Sequence, residues 1–224
     1  MYAKYFKRVM DFTLSLLALI VLSPVLVILI VLGAIKMKGN PFFTQLRPGK
    51  DEKIFRLIKF RSMTCEKDKA GKLLPDDQRL TRYGRILRST SLDELPELIN
   101  ILKGDMSIVG PRPQLVRDMV FMTSEQRKRH TVRPGLTGLA QISGRNAISW
   151  EGKLRTDLKY IEKITLVNDI SIILKTVLKV VKREGISEEG MATADDYGDH
   201  LLKAGRVSQV EYDEKQKEAL QLLG

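Results

Sequence analysis

The stretch FTLSLLALIVLSPVLVILIVLGAI, Phe12 to Ile35, contains no charged residue. As one straight helix it would run about 36 Å, enough for a hydrocarbon core of about 30 Å. A cleaved leader fits poorly, because the run is long and no small-residue cleavage pattern precedes the next charges. Pro24 stands at its centre. It has no N–H, and its ring meets the carbonyl of Ile20, so a helix kinks or breaks there. Ser23 can offer its hydroxyl to the freed backbone groups. Lys4, Lys7 and Arg8 precede the run, and Lys36 and Lys38 follow it. The positive-inside rule places both flanks in the cytoplasm. The stretch is therefore predicted to be a re-entrant helix-break-helix, each half about 18 Å long. A Pro-kinked span is the alternative.

Outside this run the chain is polar and mixed. Its 224 residues suit one domain with appendages, and 43% hydrophobic content supports a core. Lys and Arg outnumber Asp and Glu by 38 to 27, a net charge of +11. That favours an anionic partner: nucleic acid, anionic lipid or a phosphorylated substrate. Cys65 is the only cysteine, and His130 and His200 are the only histidines. An internal disulfide and a thiolate cluster are excluded, and a zinc site or a His-activated nucleophile fits poorly. Any chemistry falls to carboxylates, Arg and Lys.

PFFTQLRPGKDEKIFRLIKFRSM predicts two short strands around a turn at Arg47–Lys50. Helices are predicted at 79–88, 92–103, 150–163 and 169–183. Thr123 with Gln126, and Ser208 with Glu211, read as helix starts, while the Gly-rich 131–146 reads as a loop. The helix over 169–183 sets Lys175, Lys179 and Lys182 opposite Ile173, Val177, Val180 and Val181. That suits either anionic lipid or a plain surface position. The expected fold is α+β, predominantly α. A re-entrant membrane segment (1–38) precedes a small cytoplasmic domain (39–190) with a short β-hairpin and interfacial amphipathic helices, followed by a tail (191–224).

TSLDELPEL, residues 90–98, places Asp93 and Glu94 side by side. Ser91 and Glu94 match a capping box, the ordinary reading. Pro96 conflicts with it: behind a Ser91 cap it falls in the second turn, whereas behind an Asp93 cap it sits harmlessly at N3. A helix start offers free N–H groups and a positive dipole end to phosphate, and both carboxylates can border such a ligand. Arg79, Arg82, Arg85 and Arg88 precede the motif, and Lys59 and Arg61 add charge. Arg112 lies between Pro111 and Pro113, whose fixed φ angles stiffen the backbone that carries this phosphate-clamping fork.

Three blocks, KFRSM (59–63), DDQRLTRYGRILRSTSLDELPELINILKGDMSIVGPRP (76–113) and RPGLTGLAQISGRN (133–146), resemble the signatures of the bacterial sugar transferases, the monotopic phosphoglycosyl transferases. The chain is most similar to the short single-domain members that initiate protein N-glycosylation, from the membrane segment to about Thr193. The resemblance implies a membrane helix broken at Ser23–Pro24 and a catalytic domain over 39–190. It implies transfer of a phosphosugar from a UDP-sugar to polyprenyl (undecaprenyl) phosphate with release of UMP. Asp93 would be the covalent nucleophile, and Asp93 with Glu94 would hold Mg2+. Arg112, Arg88, Lys59 and Arg145 would bind substrate phosphate. The expected location is the cytoplasmic face of a bacterial inner membrane, on anionic phospholipid and without nucleic acid.

The chemistry implied is coherent. A carboxylate that attacks the β-phosphorus forms an acyl phosphate, and one hard step becomes two easier ones. The polyprenyl phosphate is already anionic, so no strong base is needed. The sugar expected from the resemblance is an N-acetylated amino sugar such as diacetylbacillosamine. The alternatives are galactose, glucose or N-acetylgalactosamine for polysaccharide synthesis. An ordinary glycosyl transferase would release UDP instead. A non-catalytic, basic, membrane-anchored binding protein is the remaining reading, and it would gain nothing from Asp93 and Glu94.

Overall fold

The apolar run is helical from end to end. In the computed structural model, which describes residues 1–144, 148–182 and 195–224, a turn of π-helix at Tyr2–Phe6 leads into helix α1, Lys7–Lys36. Pro24 lies inside α1, so the expected division into two helices at Ser23–Pro24 is not formed. The reason is local: the Ser23 hydroxyl donates to the Ile20 carbonyl at 2.8 Å. That is the acceptor the proline leaves unused, and its satisfaction lets the helix continue.

α1 lies along the rest of the protein. Asp11, Ser15, Leu29 and Gly33 are buried and Ala18, Leu19 and Leu26 half-buried, a spacing of three and four that draws one stripe down the helix. Ile20, Val21, Val27, Ile28, Val31 and Ile35 are exposed. At its start Arg8 donates to the carbonyls of Ile101 and Leu102 at 2.5 and 2.7 Å. Asp11 accepts from the Ser107 hydroxyl at 2.7 Å and the Ile108 N–H at 3.0 Å. Lys7 pairs with buried Asp169 at 2.5 Å. Near its end Tyr83 donates to the Leu29 carbonyl at 3.0 Å, and Leu29 packs on Phe60 and Leu87. Both ends of α1 are thus fastened to one body.

Strands β1 (Phe42–Pro48) and β2 (Ile54–Phe60) form the expected antiparallel hairpin. Short helix α2 (Asp76–Arg79) and helix α3 (Arg82–Ser89) follow; Thr81 caps α3 by accepting from the Gly84 N–H. α4 spans Glu97–Lys103. Its Leu98 and Ile101 pack with Phe55 and Leu57 of the hairpin, Met106, and Ala18 and Leu19 of α1. Hairpin, α4 and α1 therefore share one core.

Strand β3 (Ser107–Val109) pairs in parallel with β4 (Gly135–Thr137). Between them lie the one-turn helices α5 (Val116–Met119) and α6 (Ser124–Arg127), the latter with the expected capping box at Thr123 and Gln126. α7 covers Leu139–Ser143. The expected loop over 131–146 is thus in part a strand and a helix. Its glycines serve close approach rather than looseness: a Cβ on Gly135 would fall 2.1 Å from the Gly110 nitrogen. α8 (Trp150–Glu162) and α9 (Leu166–Lys182) match the predicted helices, and α9 leaves Leu174, Val177, Leu178 and Val181 exposed. α10 (Tyr197–Lys203) and α11 (Gln209–Leu223), the latter capped by Ser208 as expected, pack back onto the body. Arg145, the predicted helix end at Arg183 and the 190/191 boundary lie outside the described residues.

Candidate active site

The Asp-Glu pair does not open a capped helix. Ser91 is left-handed (φ 55°) and its side chain caps nothing. Leu92–Glu94 form a separate 3-10 turn, and α4 starts only at Glu97, with Pro96 at its N-cap position. The predicted start at residue 92 comes out as a 3-10 turn entered through left-handed Ser91; Leu95 and Pro96 keep helical dihedrals, and α4 runs on from them at Glu97. Placed there, the proline breaks no helical hydrogen bond. The capping-box reading of Ser91 and Glu94 is therefore replaced by a turn that holds two carboxylates in front of α4.

Around that turn the predicted residues meet. One oxygen of Glu94 accepts from Lys59 at 2.7 Å and from Arg112 at 2.8 Å. Lys59, on β2, also reaches Glu97 at 3.1 Å. Arg88, on α3, donates to the Ser62 hydroxyl at 3.0 Å, and its positive charge acts on Asp93. Arg79 is occupied with Asp76 and the Thr64 carbonyl, so it serves the fold. Arg145 lies outside the described residues. Among the described residues no group donates a hydrogen bond to Asp93. His130 is buried beside Glu52, and burial with the nearby Arg129 charge holds it neutral, its pKa down to about 4.

The electrostatics separate the two carboxylates. Burial would raise Glu94, but the Arg112 and Lys59 charges outweigh it and hold Glu94 well below the ordinary range. Among the described residues Asp93 has no such pairing. Burial first, and the Glu94 charge second, push it up to about 6. Glu97 is raised to about 7 by burial, against the pull of Lys59. Near neutral pH the site therefore holds one locked anion, Glu94, and one carboxylate, Asp93, that is ionised but poorly compensated. A carboxylate in that state has a lone pair to give.

Three residues of this assembly were not singled out by sequence. Glu97 stands three beyond Glu94 but across a proline, which hides the relation. Arg129 and Asp157 form a buried ion pair at 2.7 Å, and Arg129 also donates to the Arg112 carbonyl at 2.6 Å. No local pattern links residues 112, 129 and 157. The pair fixes the Pro-Arg-Pro backbone from inside, while the Arg112 side chain is 43% exposed. Arg112→Lys is expected to lower kcat/KM about 10- to 100-fold in a UMP-release assay, because an ammonium cannot bond Glu94 and a phosphate in one plane. Full activity would return Arg112 to a surface charge.

Among the described residues no group of three or more His, Cys, Asp or Glu side chains is placed to hold a metal. Magnesium needs less: it takes one or two carboxylates and completes its shell with water and substrate phosphates. Asp93, to which none of the described residues donates, and Glu94 beside it are oxygen donors of the type such an ion takes.

Residues 2–183 match the bacterial sugar transferase family. An uncharacterized sugar transferase, EpsL of Bacillus subtilis, is 46% identical over 191 residues, covering 85% of this chain and 95% of its own length. A UDP-glucose:undecaprenyl-phosphate glucose-1-phosphate transferase of Klebsiella pneumoniae is 41% identical over 78% of this chain and 40% of its own. An undecaprenyl-phosphate galactose phosphotransferase of Salmonella typhimurium is 35% identical over 82% of this chain and 42% of its own. The chain thus spans nearly all of the short relative and about two fifths of the long ones.

Proposed function

Because the chain belongs to the bacterial sugar transferase family, we propose that it transfers a hexose phosphate from UDP-glucose or UDP-galactose to undecaprenyl phosphate, releasing UMP. The observation that carries this reading is Asp93: a half-buried carboxylate to which none of the described residues donates a hydrogen bond, next to a carboxylate already neutralised by Lys59 and Arg112. The amino sugar and the N-glycosylation role expected from the resemblance give way to the alternative. The named relatives act on glucose and galactose, and others are named for exopolysaccharide production.

In this reading an Asp93 oxygen attacks the β-phosphorus of the UDP-sugar. The bond from that phosphorus to the bridging oxygen breaks, and the electron pair leaves with UMP. The undecaprenyl phosphate oxygen then attacks the same phosphorus and displaces the Asp93 carboxylate, giving undecaprenyl diphosphate sugar. Arg112 and Arg88 stabilise charge on the phosphoryl group in flight. Lys59, itself paired with Glu97, holds Glu94 in place. Bound at Asp93 and Glu94, Mg2+ would offset their repulsion of the diphosphate. A screen of UDP-sugars with undecaprenyl phosphate tests this: UMP from UDP-glucose or UDP-galactose is expected, and UDP as product would overturn it.

The same reading sets α1 as a re-entrant anchor, with the N-terminus and the catalytic body on the cytoplasmic face of the inner membrane. Its support is that both ends of α1 are bonded to one polar body while its outer side is apolar. With Cys65 replaced by Ser, cysteines at Ala3 and Lys38 are both expected to escape a membrane-impermeant thiol reagent in intact cells. Labelling at position 3 would show that the segment spans.

A further inference from the structure

The family match ends at residue 183, yet α10 and α11 pack against the segment that follows Arg112. We propose that this C-terminal pair positions Arg112, by gripping through Asp118 the loop Pro111–Leu115 that carries it. For its activity readout the inference rests on the transfer reaction proposed above.

Asp118 is the rivet. It is buried, and one carboxylate oxygen accepts from the Leu115 N–H at 3.1 Å, two residues past Pro113. The other accepts from the N–H of Tyr197, the first residue of α10, at 2.8 Å. Around it the fit is close. A Cβ on Gly198 would lie 2.5 Å from the Phe121 ring, and that ring rests on Tyr212 of α11. Arg117 pairs with Asp196 at 2.9 Å and Asp199 at 3.2 Å. Val116, Met119 and Val120 bury against Ala219.

α5 is four residues long, and a single turn has no stability of its own. Its place, and so the place of the loop before it, is set by what grips it. From the body, Arg47 donates to the Pro113 carbonyl at 3.3 Å and Arg129 to the Arg112 carbonyl at 2.6 Å. At its near end the Pro111 carbonyl accepts from the Gly135 N–H at 2.9 Å, and the C-terminal helices add the hold at the loop's far end. Loosened there, the backbone under Arg112 gains freedom, and its guanidinium no longer stays at its 2.8 Å bond to Glu94.

Two full-length variants test this. Asp118→Asn leaves one of the two N–H groups without its acceptor, and Gly198→Val drives a side chain into the Phe121 ring. Each is measured by UMP release, alone and with Arg112→Lys. Each alone is expected to lower kcat/KM about tenfold, and by less than about twofold once Arg112 is Lys, because coupled residues are not additive. Equal losses in both backgrounds, or no loss at all, would overturn the proposal. Hydrogen exchange of the same proteins in detergent needs no substrate. The amides of 115–120 are expected to exchange about tenfold faster with the β1–β2 hairpin unchanged. Unaltered exchange at 115–120 would overturn the proposal, as would faster exchange throughout, which marks a general loss of fold. A wild-type protein that releases no UMP from any UDP-sugar would instead sink the proposed reaction, and the exchange measurement would still decide the grip.

Discussion

Asp93→Asn is expected to release UMP at less than about one-thousandth of the wild-type rate, and to melt no earlier than the wild type. The amide keeps the shape but cannot attack phosphorus. It forfeits no hydrogen bond, because among the described residues none is donated to Asp93. The pKa of Asp93 is raised from 3.8 to about 6, by burial first and the Glu94 charge second. A raised carboxylate resists ionisation in the folded state. Its stability cost is absent below about pH 4, grows between the two values, and is complete above about pH 6. Removing it should therefore leave the melting temperature at pH 7.5 equal or higher, with the difference gone at pH 4. The same titration predicts that wild-type UMP release rises with pH through about 6, falling to about a tenth of its plateau at pH 5. Near-normal UMP release by Asp93→Asn would end the assignment of the nucleophile.

Glu94→Gln is expected to fail differently, losing both activity and stability. kcat/KM should fall about 100-fold or more, because Lys59 and Arg112 converge on one Glu94 oxygen and a neutral amide holds neither as firmly. Stability should fall by about 1–3 kcal/mol, the cost of leaving the largely buried Lys59 short of one partner. Thermal melts beside UMP release separate the neighbours: activity lost at full stability at position 93, both lost at 94. If Glu94→Gln melts like the wild type, the electrostatic role drawn for Glu94 is wrong.

What could be read from sequence was what depends on short range. The β1–β2 hairpin, the α6 and α11 starts, α8 and α9 announce themselves by alternation, period or capping residues. The residue types of the site, Asp93, Glu94, Lys59, Arg112 and Arg88, were also visible, because carboxylates amid basic residues are conspicuous. Three things were hidden. The Ser23 hydroxyl was visible as a partner for the freed backbone, but not that it would carry the helix across Pro24 undivided. The glycines of 133–144 looked like loop residues, but Gly135 is needed where two backbones touch. The Arg129–Asp157 pair joins positions that only the folded chain brings together.

The stripe of α1 that faces the body has a practical meaning for anyone handling the enzyme. Ala18 and Leu19 are part of the wall that closes over Phe55, Leu57 and Ile101, and Arg8 tends the last carbonyls of α4. Under the anchor reading proposed above, α1 is therefore not a tether that can be cut to obtain a soluble catalyst. Trimming it would unroof the core and strip β3, the strand leading to Arg112, of its bonds to Asp11. Nor can a generic apolar helix be spliced in its place, since the inner stripe of α1 is fitted to the body it packs on.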